Sequence, residues 1–204
     1  MSRLSQFVES WMHIQVSGFK HGSSILELGA GTLNHLPYER DGEYDIVEPF
    51  EALLEGNPLR AKVRQIYRDI ADVPASQKYD RIISVAALEH FENLPHALAT
   101  CGLLLNTGGR LQSGIPSEGG ILWGLAWRIT TGLAYRLRTG MSYGNLMRHE
   151  HLSTAPEIIS LIRYFFTDVR IRRFPFGSHH LSLYAYIQAS TPRLDRCQDY
   201  LDQT

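Results

Sequence analysis

Cysteine is scarce in this chain of 204 residues, which contains only Cys101 and Cys197. The two positions lack the spacing of a metal-binding motif, and such sparse use of cysteine favours a reducing compartment. We therefore expect neither a disulfide framework nor a cysteine-bound metal, and we expect the protein to be cytoplasmic.

An excess of charge and a long apolar run are also lacking. A formal net charge of −1 argues against a general nucleic-acid binder, which would be clearly basic. No segment approaches the roughly 20 apolar residues of a membrane-spanning helix. Glu9 and His13 interrupt the N-terminal stretch where a signal peptide needs continuous apolar residues. The composition predicts a soluble single domain over residues 1–204, without a membrane span or a nucleic-acid partner.

Two neighbouring stretches carry the strongest functional signal. Residues 25–36 read ILELGAGTLNHL, a buried strand that breaks into a turn at Gly29 and Gly31. Residues 44–50 read YDIVEPF, a second strand that ends at Glu48. Glycines have no Cβ and let the backbone approach a ligand, while a carboxylate there can accept both hydroxyls of a ribose. Together they predict an adenosine-type cofactor at the carboxyl edge of a parallel sheet.

The remaining periodicity completes an α/β pattern. Apolar spacing predicts helices over residues 4–19, 50–59, 94–105 and 157–166, and further strands over 61–70, 80–86, 110–115, 169–176 and 181–189. A short turn joins the last two strands, which makes them an antiparallel hairpin. The expected fold is α/β, a doubly wound, mostly parallel seven-stranded sheet with a terminal antiparallel hairpin.

The predicted domain has five parts along the chain. They are an N-terminal helix (1–22), a cofactor-binding core (23–116), an insertion on the substrate side (117–153), the last helix with the closing hairpin (154–190), and a polar, peripheral tail (191–204).

In this order of elements the chain resembles the class I S-adenosylmethionine-dependent methyltransferases, in particular their small-molecule branch of the methyltransferase type 11 kind. The stretch ILELGAG is similar to that family's first motif, and ALEHFENLP at residues 87–95 is similar to its exit from the fourth strand. The resemblance implies S-adenosylmethionine as the cofactor. The positions that it assigns to cofactor binding are Glu27, Gly29, Ala30, Gly31, Glu48, Pro49, Asp69, Ile70 and Ala86.

Within that set, the resemblance gives each motif a separate part of the cofactor. Glu27 would help to position the amino group, and the two glycines would pass close to the methionine part. Glu48 would bind the ribose. Asp69 and Ile70 would flank the adenine.

The glycine turn departs from the family at Leu33, which replaces the third glycine. Asn34 stands where the dinucleotide motif G-x-G-x-x-G requires glycine, which argues for a cofactor without a diphosphate. The altered turn also keeps open a second hypothesis, a non-catalytic protein of the same fold that binds the cofactor or a partner through the insertion.

His90 is the first catalytic candidate because it follows the fourth strand at its carboxyl end, where ligands of such sheets bind. A hydroxyl acceptor needs its proton removed, and His90 could be that general base. The alternative is that His90 caps the following helix or packs against the cofactor. We expect Glu89 to be structural or a neighbour of the cofactor.

A second polar group lies before the helix at 157–166. By resemblance, His151 faces the active site and is the second catalytic candidate, while Tyr143, Arg148 and His149 form the substrate side. The alternative is a solvated polar loop that ends in Ser153 as a helix cap. No metal-ligand set is evident, so we expect no metal. We expect the histidine pair at residues 179–180, on the hairpin tip, to have no function.

The insertion at residues 119–147 contains no acidic residue, whereas four arginines, Arg128, Arg136, Arg138 and Arg148, lie in or beside it. A helical wheel places Leu122, Leu125, Ala126, Ile129, Leu133 and Leu137 on one stripe, with Trp123 and Trp127 beside it. The insertion could be a lid whose stripe packs over the sheet while the arginines face an anionic acceptor. It could also be an interfacial helix on an anionic membrane, near a lipid-linked substrate. The third interpretation is a packing helix pair, broken at residues 130–132, that could form a homodimer contact.

The combined hypothesis is a methyltransferase that uses S-adenosylmethionine and transfers the methyl group to oxygen by in-line displacement. The acceptor is expected to be a small molecule or a sugar. The long insertion resembles that of methyltransferases encoded with cell-surface polysaccharide genes, which favours a glycan.

Overall fold

The computed structural model describes residues 3–18, 24–40 and 42–204, and the side chains of residues 10–18, 24–40, 42–130, 132–144 and 149–204. Seven strands in this part of the chain form one sheet, in the order β3-β2-β1-β4-β5-β7-β6. They are β1 Ser24–Leu28, β2 Glu43–Val47, β3 Gln65–Tyr67, β4 Tyr79–Val85, β5 Leu105–Pro116, β6 Phe166–Pro175 and β7 Ser182–Pro192.

Strands β1 to β5 are parallel, and β7 is antiparallel to both of its neighbours. The predicted mostly parallel sheet with a closing hairpin is confirmed. Strand β1 is buried along its whole length, as expected of a central strand covered on both faces, although two of its five residues, Ser24 and Glu27, are polar.

Helices cover both faces of the sheet. They are α1 Arg3–Ser17, α2 Leu94–Leu104, α3 Ile121–Trp127, α4 Leu133–Thr139, α5 Tyr143–Glu150, α6 Ala155–Phe165 and α7 Leu194–Asp202. One core lies beneath α2, α6 and α7, and the other lies beneath α1. Helix α1 crosses β5 at Gly114, where an added Cβ would stand 2.8 Å from the Cβ of Met12.

The third strand is much shorter than the predicted 61–70. Pro58 begins a 3-10 turn, Pro58–Lys62, whose first amide donates to the side chain of Asn57, so that part of the segment cannot be extended. The helix predicted over 50–59 is likewise replaced by this turn and by another, Glu51–Leu54. The prediction was wrong for both segments, because local capping overrode their apolar spacing.

The tail is not peripheral, contrary to the prediction. Helix α7 packs on α2, and Cys197 is completely buried. Gly102 of α2 makes this approach possible, because a Cβ there would stand 2.6 Å from the Cys197 sulfur. The amphipathic pattern of α7 is short and polar on average, so its buried side was missed.

The insertion folds as three helices, and the predicted break at residues 130–132 is wrong. A π-helical turn, Arg128–Gly132, joins α3 to α4 without a break, and the chain turns at Gly140, whose φ is 73°. Trp127 holds the parts together, since added Cβ atoms at Gly132 and Gly144 would lie 3.1 and 3.2 Å from its ring. The two glycines thus make room for this indole.

A buried polar network fixes α1 and the first crossover to the sheet. Arg81 on β4 donates through two nitrogens to Glu39, and also donates to the backbone oxygen of Val16 and to Gln112. His35 bonds to Glu39 at 2.8 Å and to His13 of α1 at 3.0 Å. Because its members are paired, the network satisfies charges that would otherwise be costly to bury.

Candidate active site

The strand order changes direction between β1 and β4, and this is where open α/β sheets bind ligands. The chain leaves β1 through the glycine turn and β4 through residues 86–90. The two exits touch, because an added Cβ at Gly29 would lie 2.5 Å from the Cβ of Ala87. The amide of Ala86 is tied to the Gly114 oxygen at 2.7 Å. Glycine is required at position 29 by this contact and by its φ of 69°.

The rest of the turn has free space beside Gly31, whereas the side chain of Leu33 is buried. Gly31 has a φ of 51°, and no described atom lies within 4 Å of the position a Cβ would take. Leu33 adopts a φ of 61°, the left-handed conformation expected of a glycine, and its side chain is fully buried against the α1 core. Leu33 in place of the family's third glycine therefore adds a buried side chain below the turn, and the backbone keeps a left-handed conformation at this position.

Glu48 connects the ends of β1 and β2. Its carboxylate accepts the amide of Gly31 at 2.6 Å and the amide of Phe50 at 2.9 Å. Each carboxylate oxygen has a further lone pair, so the group can also accept the hydroxyls of a ribose. The open glycine and the oriented carboxylate fit an adenosine-type cofactor. The neighbouring Pro49 is exposed, and Ala30 is buried.

Glu27 lies inside the protein, beneath the turn. It is 2% exposed and accepts a hydrogen bond of 2.8 Å from the hydroxyl of Tyr44. Burial raises the pKa of Glu27 to about 8, although the Tyr44 hydrogen bond acts in the opposite direction. A cation next to this carboxyl would favour its ionised form. Its assigned contact with the cofactor's amino group therefore stays a prediction.

The pair after β3 is divided between surface and core. Asp69 is exposed and caps a 3-10 turn by accepting the amide of Ala71 at 2.9 Å. Ile70 is 3% exposed and packs in the core with α2. Only Asp69 of this pair is accessible to a ligand from solution.

Three side chains from separate parts of the chain form an acid–histidine cluster. Glu118, just after β5, is hydrogen-bonded to Nδ1 of His151, which follows α5. The ring of His90 stands perpendicular to that of His151, with centroids 4.7 Å apart. Nδ1 of His90 lies 2.6 Å from the carbonyl oxygen of Glu150. A carbonyl only accepts, so Nδ1 carries the hydrogen and leaves Nε2 of His90 as the acceptor nitrogen.

The environment of His151 favours its protonated form. Burial lowers the pKa of His151, but the hydrogen bond and charge of Glu118, together with Glu89 and Glu150, outweigh it and raise the pKa. With Nδ1 bonded to the Glu118 carboxylate, Nε2 of His151 is the nitrogen that exchanges a proton with a ligand.

Glu89 is a buried member of this group. Its backbone oxygen accepts the amide of Leu152 at 2.8 Å, which binds the exit of β4 to the segment carrying His151. Its side chain is 2% exposed, and Oε2 has no hydrogen-bond partner among the described residues. Burial raises the pKa of Glu89 to about 7. The structural role expected for Glu89 agrees with this position.

A cavity of about 540 Å³ begins at Glu118 and extends along the insertion. Trp123, Trp127 and Arg128 line it. Nε1 of Trp123 is buried without a partner in the described part of the chain, so the indole can still donate a hydrogen bond. The lining is mixed, with the two indoles beside polar groups of Glu118, Arg128 and Ser142, and such convergent polar groups in a concave site can orient a small molecule.

The predicted substrate residues are placed differently from one another. Tyr143 packs its ring against Trp127 at 5.8 Å and Tyr135 at 5.3 Å, beside the cavity. His149 is exposed on α5. Arg148 is in the same helix, and its side chain lies outside the described residues. The helix cap before α6 is Thr154 rather than Ser153.

Sequence reasoning missed Glu118. The available signal was its position just past the predicted fifth strand, at the same edge as His90. In the part of the chain described, no group of three or more histidine, cysteine, aspartate or glutamate residues could hold a metal ion. None of the helices described there is long and apolar enough to cross a membrane.

Comparisons of sequence gave no match: no protein-family model fits the chain, and no curated protein matches it. Comparisons of structure did. A possible histamine N-methyltransferase from Thermotoga maritima, a SAM-dependent methyltransferase, superposes with a TM-score of 0.65 at 16% identity, covering 92% of this chain and 91% of that one. N-methyltransferase NodS from Bradyrhizobium japonicum, in complex with S-adenosyl-L-homocysteine, gives 0.60 at 14% identity, with 93% and 89% covered.

The fold is that of the S-adenosylmethionine-dependent methyltransferases. The methyltransferase fold also occurs in an O-methyltransferase family protein from Burkholderia thailandensis, with a TM-score of 0.55 at 14% identity. That alignment covers 92% of this chain and 56% of the longer one. Since similar folds are named for nitrogen and for oxygen acceptors, the fold itself does not select the accepting atom.

Proposed function

We propose that this protein is a methyltransferase that uses S-adenosylmethionine and methylates a hydroxyl group of a small molecule. The observation that carries the proposal is the Glu118–His151 pair, with His90 against it, since Glu118 also lines the cavity. The amide of His90 is bonded to the oxygen of Ala87, the residue that touches the glycine turn. These contacts support a position of the cluster close to both the proposed cofactor-binding residues and the cavity.

The turn at Gly29 and Gly31 would lie along the cofactor. Glu48 would bind the cofactor's ribose, and Asp69 would lie near the cofactor's adenine. When bound, S-adenosylmethionine supplies a methyl group on a sulfonium, whose positive charge disappears on transfer. The contribution of the protein is to align the acceptor with that methyl group at about 3 to 3.5 Å.

Proton removal is the step that the histidines can perform. Glu118 fixes the ring of His151 with Nδ1 protonated, so Nε2 can accept the proton of an acceptor hydroxyl as the new bond to carbon forms. A positioned base contributes about 10²- to 10⁴-fold to such a reaction. His90 presents a second nitrogen beside it and can bind the same hydroxyl or relay its proton.

The cavity favours a compact acceptor with both apolar and hydroxyl surfaces, such as a sugar. The indoles of Trp123 and Trp127 offer apolar contact, and Glu118 offers a hydrogen-bond acceptor. Arg128 would add affinity for an acceptor that carries a phosphate or carboxylate.

Calorimetric titration with S-adenosylmethionine and S-adenosyl-L-homocysteine tests the cofactor. Glu48→Ala should weaken both by about tenfold or more, because it removes the ribose acceptor and releases the Gly31 amide. Glu51→Ala is the matched control, since that exposed carboxylate pairs with Arg68 on the surface. Failure of the parent protein to bind either compound would refute the proposal.

Transfer of a labelled methyl group to simple glycosides and phenols tests the chemistry. His151→Ala should lower the rate by about 10²-fold while the cofactor affinity stays nearly constant. Cofactor binding without any transfer, in the parent protein, would instead support a non-catalytic binding protein of the same fold.

A further inference from the structure

The insertion presents a row of exposed apolar side chains. Six residues at intervals of four are more than half exposed, with relative exposures of 51% to 79%. They are Ile121, Leu125, Ile129, Leu133, Leu137 and Met141. We call this row the outer face. In the lid interpretation, one of three left open, the stripe packs over the sheet, and the exposure of its members Leu125, Ile129, Leu133 and Leu137 contradicts that part of it.

The opposite side of the insertion is the one that contacts the protein. Trp123 meets Tyr184 of β7 with ring centroids 5.5 Å apart, and Trp127 lies against Gly132 and Gly144. These indoles also line the acceptor cavity. The outer face is therefore separate from the acceptor site and is not needed to close the cavity.

The π turn keeps the row in line. In an α-helix, residues four apart drift around the axis by about 40° at each step, because one turn contains 3.6 residues. The π turn Arg128–Gly132 has more residues per turn and reverses that drift midway. The segment from Ile121 to Thr139 is about 28 Å long at 1.5 Å per residue, which makes the row an extended surface.

The charge around the outer face has a single sign. The exposed arginines at positions 136 and 138 flank Leu137 on opposite sides in the sequence, whereas Arg128 lies over the Trp127 ring and lines the cavity. No acidic residue occurs between Glu118 and Glu150 in the sequence. An apolar strip bordered by arginine matches an interface that is apolar inside and anionic at its rim.

We propose that the outer face binds peripherally to an anionic lipid surface, with the insertion lying in the plane of the headgroups. The apolar row would enter the boundary between headgroups and acyl chains, while the arginines contact lipid phosphates. A second copy of the chain is a poor occupant, because a symmetric contact through this face would bring arginines against arginines without a nearby carboxylate.

Sedimentation of the full chain with lipid vesicles tests this proposal. Vesicles of phosphatidylcholine and phosphatidylglycerol should bind the protein, and vesicles of phosphatidylcholine alone should bind it much less. The double variant Arg136→Gln/Arg138→Gln should lower the partition coefficient by about 20-fold, since each basic residue contributes about fivefold near such a surface. Arg60→Gln, an exposed arginine outside the insertion, is the control.

The apolar part of the surface needs its own variant. Ile129→Glu/Leu137→Glu should reduce binding by at least about 20-fold. Leu53→Glu, at an exposed leucine outside the insertion, should leave binding unchanged. Thermal unfolding verifies that each variant is folded, and cofactor titration on the same samples keeps the result separate from the methyltransferase proposal.

Two results would overturn the proposal. One is equal sedimentation with and without anionic lipid, or binding that the variants at positions 129 and 137 leave intact. The other is light scattering that shows a dimer which these variants convert to a monomer, because the outer face would then join two copies of the chain.

Discussion

Hydrogen-bond partners divide the acidic residues of the site into different chemical kinds, whereas Glu48, Glu27 and Glu89 are all at most 4% exposed. Glu48 is held by two backbone amides, Glu27 and Glu89 are buried carboxyls with pKa values raised to about 8 and about 7, and Glu118 is paired with a histidine. Sequence spacing could place Glu27 and Glu48 at strand ends. It could not show which acid pairs with His151, because that contact joins residues 33 positions apart through the tertiary fold.

Replacement of Glu118 tests the acid–histidine pair. The hydrogen bond and charge of Glu118 help to raise the pKa of His151 against the effect of burial, so Glu118→Gln should lower the pKa of that histidine. NMR titration of the histidine ring protons measures this without a known acceptor. A base acts in its neutral form, so the alkaline rise in methyl transfer should move to lower pH in the variant, and the plateau rate should be lower because the base is weaker.

Glu92→Gln is the control for that titration, because Glu92 is exposed just after the fourth-strand exit. An unchanged or higher pKa of His151 in the Glu118 variant would contradict the pairing. The His90 signal gives an internal comparison, since its ring contacts His151 but its Nδ1 faces a backbone carbonyl.

At the scale of elements, the insertion was predicted to be helical, but its orientation was not predicted. A helical wheel drawn with ideal α-helical spacing ignores the π turn. It therefore places residues on one side of the segment that lie on different sides in the structure. Trp127 determines which side of the segment packs, because its ring fits between Gly132 and Gly144. The spacing of apolar residues in the sequence does not reveal such a contact. The apolar residues were therefore identified from the sequence, while the side of the segment that packs on the protein stayed open among the three interpretations.

Removal of the Trp127 ring should loosen the insertion alone. Trp127→Ala leaves a void between two glycines and should cost about 2 kcal/mol of local stability. Trypsin should then cleave at the insertion arginines about tenfold faster, because local opening becomes more frequent. Cofactor affinity should remain close to that of the parent chain, since Gly31 and Glu48 lie on other elements.

Ile129→Ala is the matched control, because that side chain is on the same segment and is 64% exposed. It should leave the cleavage rate almost unchanged. Equal acceleration in both variants would mean that Trp127 does not hold the insertion together.

At the scale of the whole molecule, the strand order and the closing hairpin were predictable because alternation between strand and helix patterns leaves few topologies. The buried network around Arg81 was not predictable. Its partners, Glu39, Val16 and Gln112, come from the first crossover, α1 and β5, and each looks like an ordinary residue in its own segment. Their convergence depends on the completed sheet.

Breaking that network should destabilise the entire fold. Glu39→Leu leaves the buried guanidinium of Arg81 without its counter-charge and should cost about 3 to 5 kcal/mol. The pair Glu39→Leu/Arg81→Met should recover part of that loss, because no charge then remains unpaired. Chemical denaturation of the parent, both single variants and the double variant gives the coupling energy. A coupling near zero would show that the two groups act independently.

The position of α1 against later strands determines when this helix can dock during synthesis of the chain. Trp11 packs on Phe174 of β6 with centroids 5.4 Å apart, and the oxygen of Val16 is held by β4 and β5. A ribosome adding about 5 to 20 residues per second needs on the order of 10 s to travel from α1 to those later strands. Helix α1 is therefore translated before the sheet and docks after it. During that interval the face that carries Met12 and Val16 is uncovered, and a chain stalled before β5 would keep it available for aggregation.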